Sequence, residues 1–289
     1  MAEDAKTPLQ PSTGDNATPS LPSPPMKHLA RALPLMLWLT LSSSTALAGD
    51  QLVDIPVRQQ VSVPVFWMPR PDAVATVILL PGGNGGFGKV VDGAPTGNNF
   101  LVRSRSDFAD RKLNVAVVGR ASDIDDLSYV YRIGSEHTGD LEKIVAAVKQ
   151  LSGQRPWLVG TSRGTVSTAA AAIAFGNAQL AGIVLTSSVV NRAKPGNVPS
   201  QNLAALRIPV LVLHHAKDAC HQCNPADAHR ITDALANVPV PDKQLILVDG
   251  GSSPTGDVCH AQHWHGYIGM EKEAVGVIAD WISAHGSRQ

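Results

Sequence analysis

Short unbroken apolar runs alternate along this chain with longer stretches of helical periodicity. The runs are Ala75 to Leu80, Leu113 to Val118, Trp157 to Val159, Ala181 to Leu185, Val210 to Leu213 and Gln244 to Val248. A run of Val, Ile and Leu without polar alternation marks a strand buried on both faces, as in a parallel sheet covered by helices. Between the runs, helices are predicted over Asp140 to Leu151, Thr165 to Phe175 and Pro225 to Ala236. A last helix is predicted over Met270 to Ala284, its apolar stripe formed by Val275, Ile278, Trp281 and Ile282. Ahead of all these, Leu52 to Val57 and Val61 to Trp67 alternate as an antiparallel hairpin does. There are no internal repeats. The expected fold class is α/β, with a mainly parallel central sheet and helices on both faces.

The N-terminal end is made of different material. Residues 1–25 are rich in Pro, Ser and Thr with almost nothing to bury, and read as a disordered extension or as a translation start placed too early. From Met26 the pattern becomes that of a secretory signal. Lys27, His28 and Arg31 make a basic n-region, Ala32 to Leu41 an apolar h-region, and Ala46-Leu47-Ala48 an A-x-A cleavage site. An apolar stretch this short cannot cross roughly 30 Å of hydrocarbon, so a membrane anchor is not expected. No Cys follows the h-region, which argues against a lipoprotein. The expected mature protein is a single domain over 49–289, cleaved after Ala48 and periplasmic or secreted.

Composition narrows the function. The chain has 289 residues, no net charge, 44% hydrophobic content and 4% aromatics. That lacks the basic excess of a nucleic-acid binder, and no nucleic-acid partner is expected. In an oxidising compartment, Cys220, Cys223 and Cys259 allow one disulfide and one free thiol, in three pairings. Cys220–Cys259 is favoured because it would tie together two loops that carry candidate chemistry. Cys220–Cys223, a C-x-x-C without thioredoxin-like context, is the competitor.

The most specific local signal is Gly160-Thr161-Ser162-Arg163-Gly164, a G-x-S-x-G between a predicted strand and an Ala-rich predicted helix. A serine on so sharp a turn is held in strained geometry with its hydroxyl clear of the sheet, and the flanking glycines avoid backbone collisions. Active sites of such sheets form where strands end. Asp218 follows the strand Val210 to Leu213, and His265 lies in His263-Trp264-His265-Gly266-Tyr267 after the last strand. Asp249, Asp257, His260 and His263 are rivals for these two places.

The order Ser, Asp, His along the chain, the elbow, and a His-Gly-aromatic before the terminal helix resemble the α/β-hydrolase superfamily over essentially the whole mature chain. The resemblance implies Ser162 as nucleophile, His265 as general base and acid, and Asp218 as the group that orients the imidazole. Leu79-Leu80-Pro81-Gly82-Gly83-Asn84-Gly85-Gly86 resembles the family's oxyanion loop, with Pro81 where many members carry His. Backbone N–H groups of Gly83 and Arg163 would then hold the oxyanion. The expected partner is a small acyl or ester substrate, with no cofactor and no metal. The short connection Asn191 to Arg207 leaves no room for a lid domain, which argues against a true lipase.

Two alternatives come from other classes. Gly83 to Gly88 formally matches G-x-G-x-x-G after a strand, with Arg120 ending the next strand, as for a nucleotide site. Cys220, His221, Cys223, His260, His263 and His265 are borderline and soft ligands that could serve a periplasmic metal-binding protein.

Overall fold

The computed structural model describes residues 49–286, so the proposed extension and signal peptide lie outside the described residues. Eight strands form one sheet: β1 (Gln51–Arg58), β2 (Val61–Met68), β3 (Ala75–Leu80), β4 (Leu113–Val118), β5 (Trp157–Thr161), β6 (Gly182–Thr186), β7 (Val210–His215) and β8 (Lys243–Val248). Their spatial order is β1-β2-β4-β3-β5-β6-β7-β8. β1 and β2 pair antiparallel and β2 joins β4 antiparallel. From β4 to β8 every pairing is parallel. The chain order β3–β4 reverses in space at β3, which lies between β4 and β5.

Alternate residues of the central strands feed two cores. Ile78, Leu80, Ala116, Val118 and Leu158 face one layer, packed by helices α4 (Ser135–Ser152), α5 (Arg163–Phe175) and α6 (His229–Ala234). Val77, Leu79, Val115, Val117 and Val159 face the other, covered by α1 (Phe100–Arg103), α2 (Arg105–Asp110) and α7 (Glu271–Gly286). The remaining short helix, α3 (Tyr129–Arg132), precedes α4. Burial on both faces is why these strands carry no polar alternation. β8 differs: its residues are half-buried or exposed, with Leu247 52% exposed. It is the sheet edge, so its apolar run reflects one covered side only.

Two predicted helices change extent. α4 starts at Ser135 rather than Asp140, because its first turn buries polar residues: His137 bonds Ser167 at 2.9 Å and Asp140 pairs with Arg58 at 2.8 Å. The stretch predicted as a helix from Pro225 breaks into a 3₁₀ turn, Pro225–Asp227, and the short α6. The β6–β7 connection holds two 3₁₀ turns, Val198–Ser200 and Leu203–Ala205, and no lid domain. Among the described residues no helix is long and apolar enough to cross a membrane.

Candidate active site

Ser162 sits between β5 and α5 at φ 52° and ψ −126°, a left-handed conformation that a residue with a Cβ adopts only under strain. The turn is sharp enough that neighbouring glycines are obligatory. A Cβ on Gly164 would collide with the Leu80 carbonyl oxygen, and one on Gly160 with Thr168 Oγ1. The elbow is pinned by its own backbone: the Ser162 N–H donates to Thr186 O at 3.0 Å, and the Thr165 hydroxyl donates to Ser162 O at 2.6 Å.

Asp218 and His265 come together from the ends of β7 and the loop after β8. His265 Nδ1 lies 2.8 Å from Asp218 Oδ2, with the carboxylate side chain fully buried and the imidazole 5% exposed. Asp218 Oδ1 accepts the Cys220 N–H at 2.9 Å, so both carboxylate oxygens are used. Since the buried carboxylate accepts, Nδ1 carries the proton and Nε2 has its lone pair free. Nε2 is buried and has no hydrogen-bond partner among the described residues. The rivals are engaged elsewhere: Asp249 pairs with Lys217 at 2.7 Å, and Asp257 caps the Cys259 N–H at 2.8 Å. His263 packs edge-on to Trp264, and Trp264 stacks on His215.

The loop carrying His265 is held from three sides. Ser187 Oγ donates to the His265 carbonyl at 2.9 Å, Arg103 Nη2 donates to Gly266 O at 2.6 Å while pairing with Glu271, and Tyr267 Oη donates to Leu213 O at 2.8 Å. The disulfide adds a fourth constraint. Of the three possible pairings the structure has Cys220–Cys259, which joins the acid loop to the base loop.

Cys223 is the free cysteine, fully buried, and touches the site. The Ser162 hydroxyl lies close enough to act on its sulfur. Burial pushes the thiol well above its ordinary value, the Asp218 charge adds to this and Ser162 opposes it, so it stays protonated. A sulfur of Cys223, a sulfur of Cys220 and a ring nitrogen of His265 lie within 4.8 Å of one another. Cys223 therefore links the serine to the histidine in space. Beneath them His214 is fully buried, and its Nε2 accepts the Ser188 N–H at 2.9 Å. Burial lowers its pKa to about 4 against the opposing Asp218 charge, so it is neutral.

The glycine loop after β3 reaches the elbow from the other side. A Cβ on Gly82 would stand 2.8 Å from both the Ser162 Cβ and Thr161 O, so only glycine lets the loop approach. Gly83 follows at φ +57°, and its carbonyl accepts Arg132 Nη2 at 3.1 Å. Arg132 is 1% exposed and also donates to Leu127 O at 3.0 Å and Ser167 Oγ at 2.9 Å. Burial, reinforced by the Arg163 charge, lowers its pKa to about 9. Arg163 itself turns its guanidinium over Tyr129, 4.9 Å from the ring centre. Cys223, Arg132, Ser187 and Arg103 carry no local motif. Only the C-x-x-C spacing of Cys223 was open to a reading of the sequence.

The glycine loop does not serve a nucleotide in the way its motif suggests. It leads into a ribbon, Val90–Val91 with Ala94–Pro95, and the next helix begins only at Phe100. The phosphate-binding form of that motif needs a helix N-terminus directly after the glycines. The metal alternative loses Cys220, since a disulfide sulfur is not a thiolate ligand.

No protein-family model and no curated protein sequence matches this chain. Solved structures do. An esterase from Pyrococcus furiosus has TM-score 0.59 at 15% identity, covering 83% of this chain and 93% of its own. A protein described as a predicted CIB-like hydrolase from Thermoplasma acidophilum has TM-score 0.55 at 14% identity over 82% and 99%. A lidless α/β serine hydrolase from Xanthomonas campestris has TM-score 0.51 at 16% identity over 83% and 94%. The chain has the α/β-hydrolase fold.

Proposed function

We propose that this protein is an exported serine hydrolase that cleaves carboxylic esters or related acyl bonds through Ser162, His265 and Asp218. The observation that carries the reading is a strained serine elbow beside a buried Asp–His pair whose outer nitrogen is unpartnered. In this reading the Ser162 hydroxyl gives its proton to His265 Nε2, the imidazole nitrogen left without a partner among the described residues. His265 takes the proton as Ser162 attacks the acyl carbon, then returns it to the leaving alcohol. Asp218 keeps the proton on Nδ1 and stabilises the imidazolium. Water repeats the sequence on the acyl-enzyme, releasing the acid.

The N–H groups of Gly83 and Arg163 hold the oxyanion. One such donor is typically worth about 3–4 kcal/mol of barrier. The seating of the Gly82–Gly83 loop against Ser162 supports this, as does its tie to Arg132. The short β6–β7 connection, with no lid domain among the described residues, favours small, soluble esters over lipid aggregates. The signal-like segment before Gly49 and the disulfide both suit an oxidising compartment outside the cytoplasm.

The test is a fluorophosphonate probe followed by mass spectrometry of the labelled peptide. The expected adduct is on Ser162 and disappears in His265→Ala. A folded protein that takes no label would overturn the proposal.

A further inference from the structure

A second chemistry is latent in the same corner of the fold. Cys220 and Cys223 form a tight turn in which the Cys223 N–H donates to Cys220 O at 2.8 Å. Paired cysteines at this spacing are the usual half of a zinc site. Their sulfurs and a ring nitrogen of His265 lie within 4.8 Å of one another, all three residues buried. His265 Nδ1 is held by Asp218 at 2.8 Å, and Nε2 is buried with no partner among the described residues. A carboxylate on one imidazole nitrogen with the other left open is also how zinc-binding histidines are oriented. Zn–S bonds of about 2.3 Å and Zn–N bonds of about 2.0 Å put tetrahedral ligand atoms roughly 3.5–3.8 Å apart. From 4.8 Å the cluster therefore needs to contract by roughly 1.0–1.3 Å at most.

One thing withholds the site: the Cys220 sulfur is bonded to Cys259. We propose that Cys220, Cys223 and His265 form a redox-gated Zn²⁺ site, closed while the Cys220–Cys259 disulfide is intact and opened by its reduction. The reductant supplies two electrons. With a phosphine, water delivers its oxygen to phosphorus and its two protons to the sulfurs, leaving two thiols and a phosphine oxide. Zinc then displaces the protons of Cys220 and Cys223 and takes the lone pair of His265 Nε2. If Ser162 is the nucleophile proposed above, zinc removes its general base, so the reduced, metal-loaded protein is inactive.

The experiment uses the purified full chain, half of it reduced with a phosphine and then freed of excess reagent. Both halves receive equimolar Zn²⁺ and are desalted, and bound metal is counted by mass spectrometry. The reduced half should retain about one zinc per chain and the oxidised half under about a tenth of that. With Co²⁺ as probe, thiolate-to-metal absorption should appear in the reduced half only. Reduced Cys223→Ser and His265→Gln should each bind zinc more weakly, by roughly tenfold or more. Equal zinc in both halves, or undiminished binding by reduced Cys223→Ser, would overturn the site. Where reduction disturbs the near-ultraviolet dichroism, anaerobic Cys259→Ser supplies the free Cys220 without reductant, and its failure to take zinc also overturns it. Metal counting is independent of turnover. A chain that binds zinc when reduced but hydrolyses nothing in its oxidised, metal-free form sinks the hydrolase reading and leaves this one standing.

Discussion

The backbone at Ser162 makes a prediction that needs no substrate. At φ 52° and ψ −126° the Cβ is the source of the strain. Such a conformation costs of order 1–3 kcal/mol. Ser162→Ala removes the hydroxyl and keeps the Cβ, whereas Ser162→Gly removes both. Glycine gives back about 0.4–1 kcal/mol through the greater freedom of the unfolded chain. The glycine variant should therefore be the more stable of the two by about 0.5–2 kcal/mol. For a domain of this size each kcal/mol moves the melting temperature by about 2–4 °C. Scanning calorimetry of the two variants side by side should place Ser162→Gly higher by about 1–8 °C. A glycine variant that melts with or below the alanine variant would refute the argument that the elbow stores strain at Ser162.

Other outcomes follow from particular contacts. Asp218→Asn keeps an oxygen for the Cys220 N–H but turns an amide N–H toward His265 Nδ1, forcing the proton onto Nε2. Ester hydrolysis should fall by about 10⁴ in kcat with little change in KM, and a loss under about tenfold would sink the tautomer argument. Burial, with Arg132 adding, lowers the His137 pKa to about 3, below an unfolded value near 6.5. The unfolded chain binds the extra proton, so this contribution is complete above about pH 6.5 and is lost as pH falls toward about 3. His137→Gln should flatten the melting-temperature slope in that window, and an unchanged slope would count against it. Gly164→Ala, which drives a Cβ into the Leu80 carbonyl, should cost about 3 kcal/mol or more and be read as loss of soluble protein. Gly139→Ala, in α4 with nothing near its Cβ, should instead stabilise by about 0.5–1 kcal/mol in denaturant unfolding; destabilisation there would discredit the reasoning about space.

The parts of the fold that could be read from the sequence are those where local pattern and tertiary role agree. β3 and β4 match their apolar runs to the residue, every position being buried and the two polar ones, Thr76 and Asn114, bonded to each other. The elbow was legible because its chemistry is local: glycines flank the serine that they make possible. The first turn of α4 was not, since His137 is a polar residue buried against Ser167, a partner far away in sequence. The short helices α1 to α3 span too few turns to show periodicity. Arg132 illustrates the same limit at the site: nothing near it in the chain announces a buried guanidinium, and its role appears only when Gly83 and Ser167 arrive. Ser187 and Cys223 likewise acquire meaning only through residues brought to them by the sheet.

The disulfide also has a topological consequence. Its ring runs from Cys220 to Cys259 and so encloses the whole of β8, the least buried strand of the sheet. An edge strand with one covered side can peel away, and here both of its flanks are tethered to a single covalent knot beside β7. Closing a loop of this length takes about 4 kcal/mol out of the unfolded chain's favour on the entropy model. The last strand is thus itself a segment of the ring, and is fixed through both of its ends as well as by what it buries.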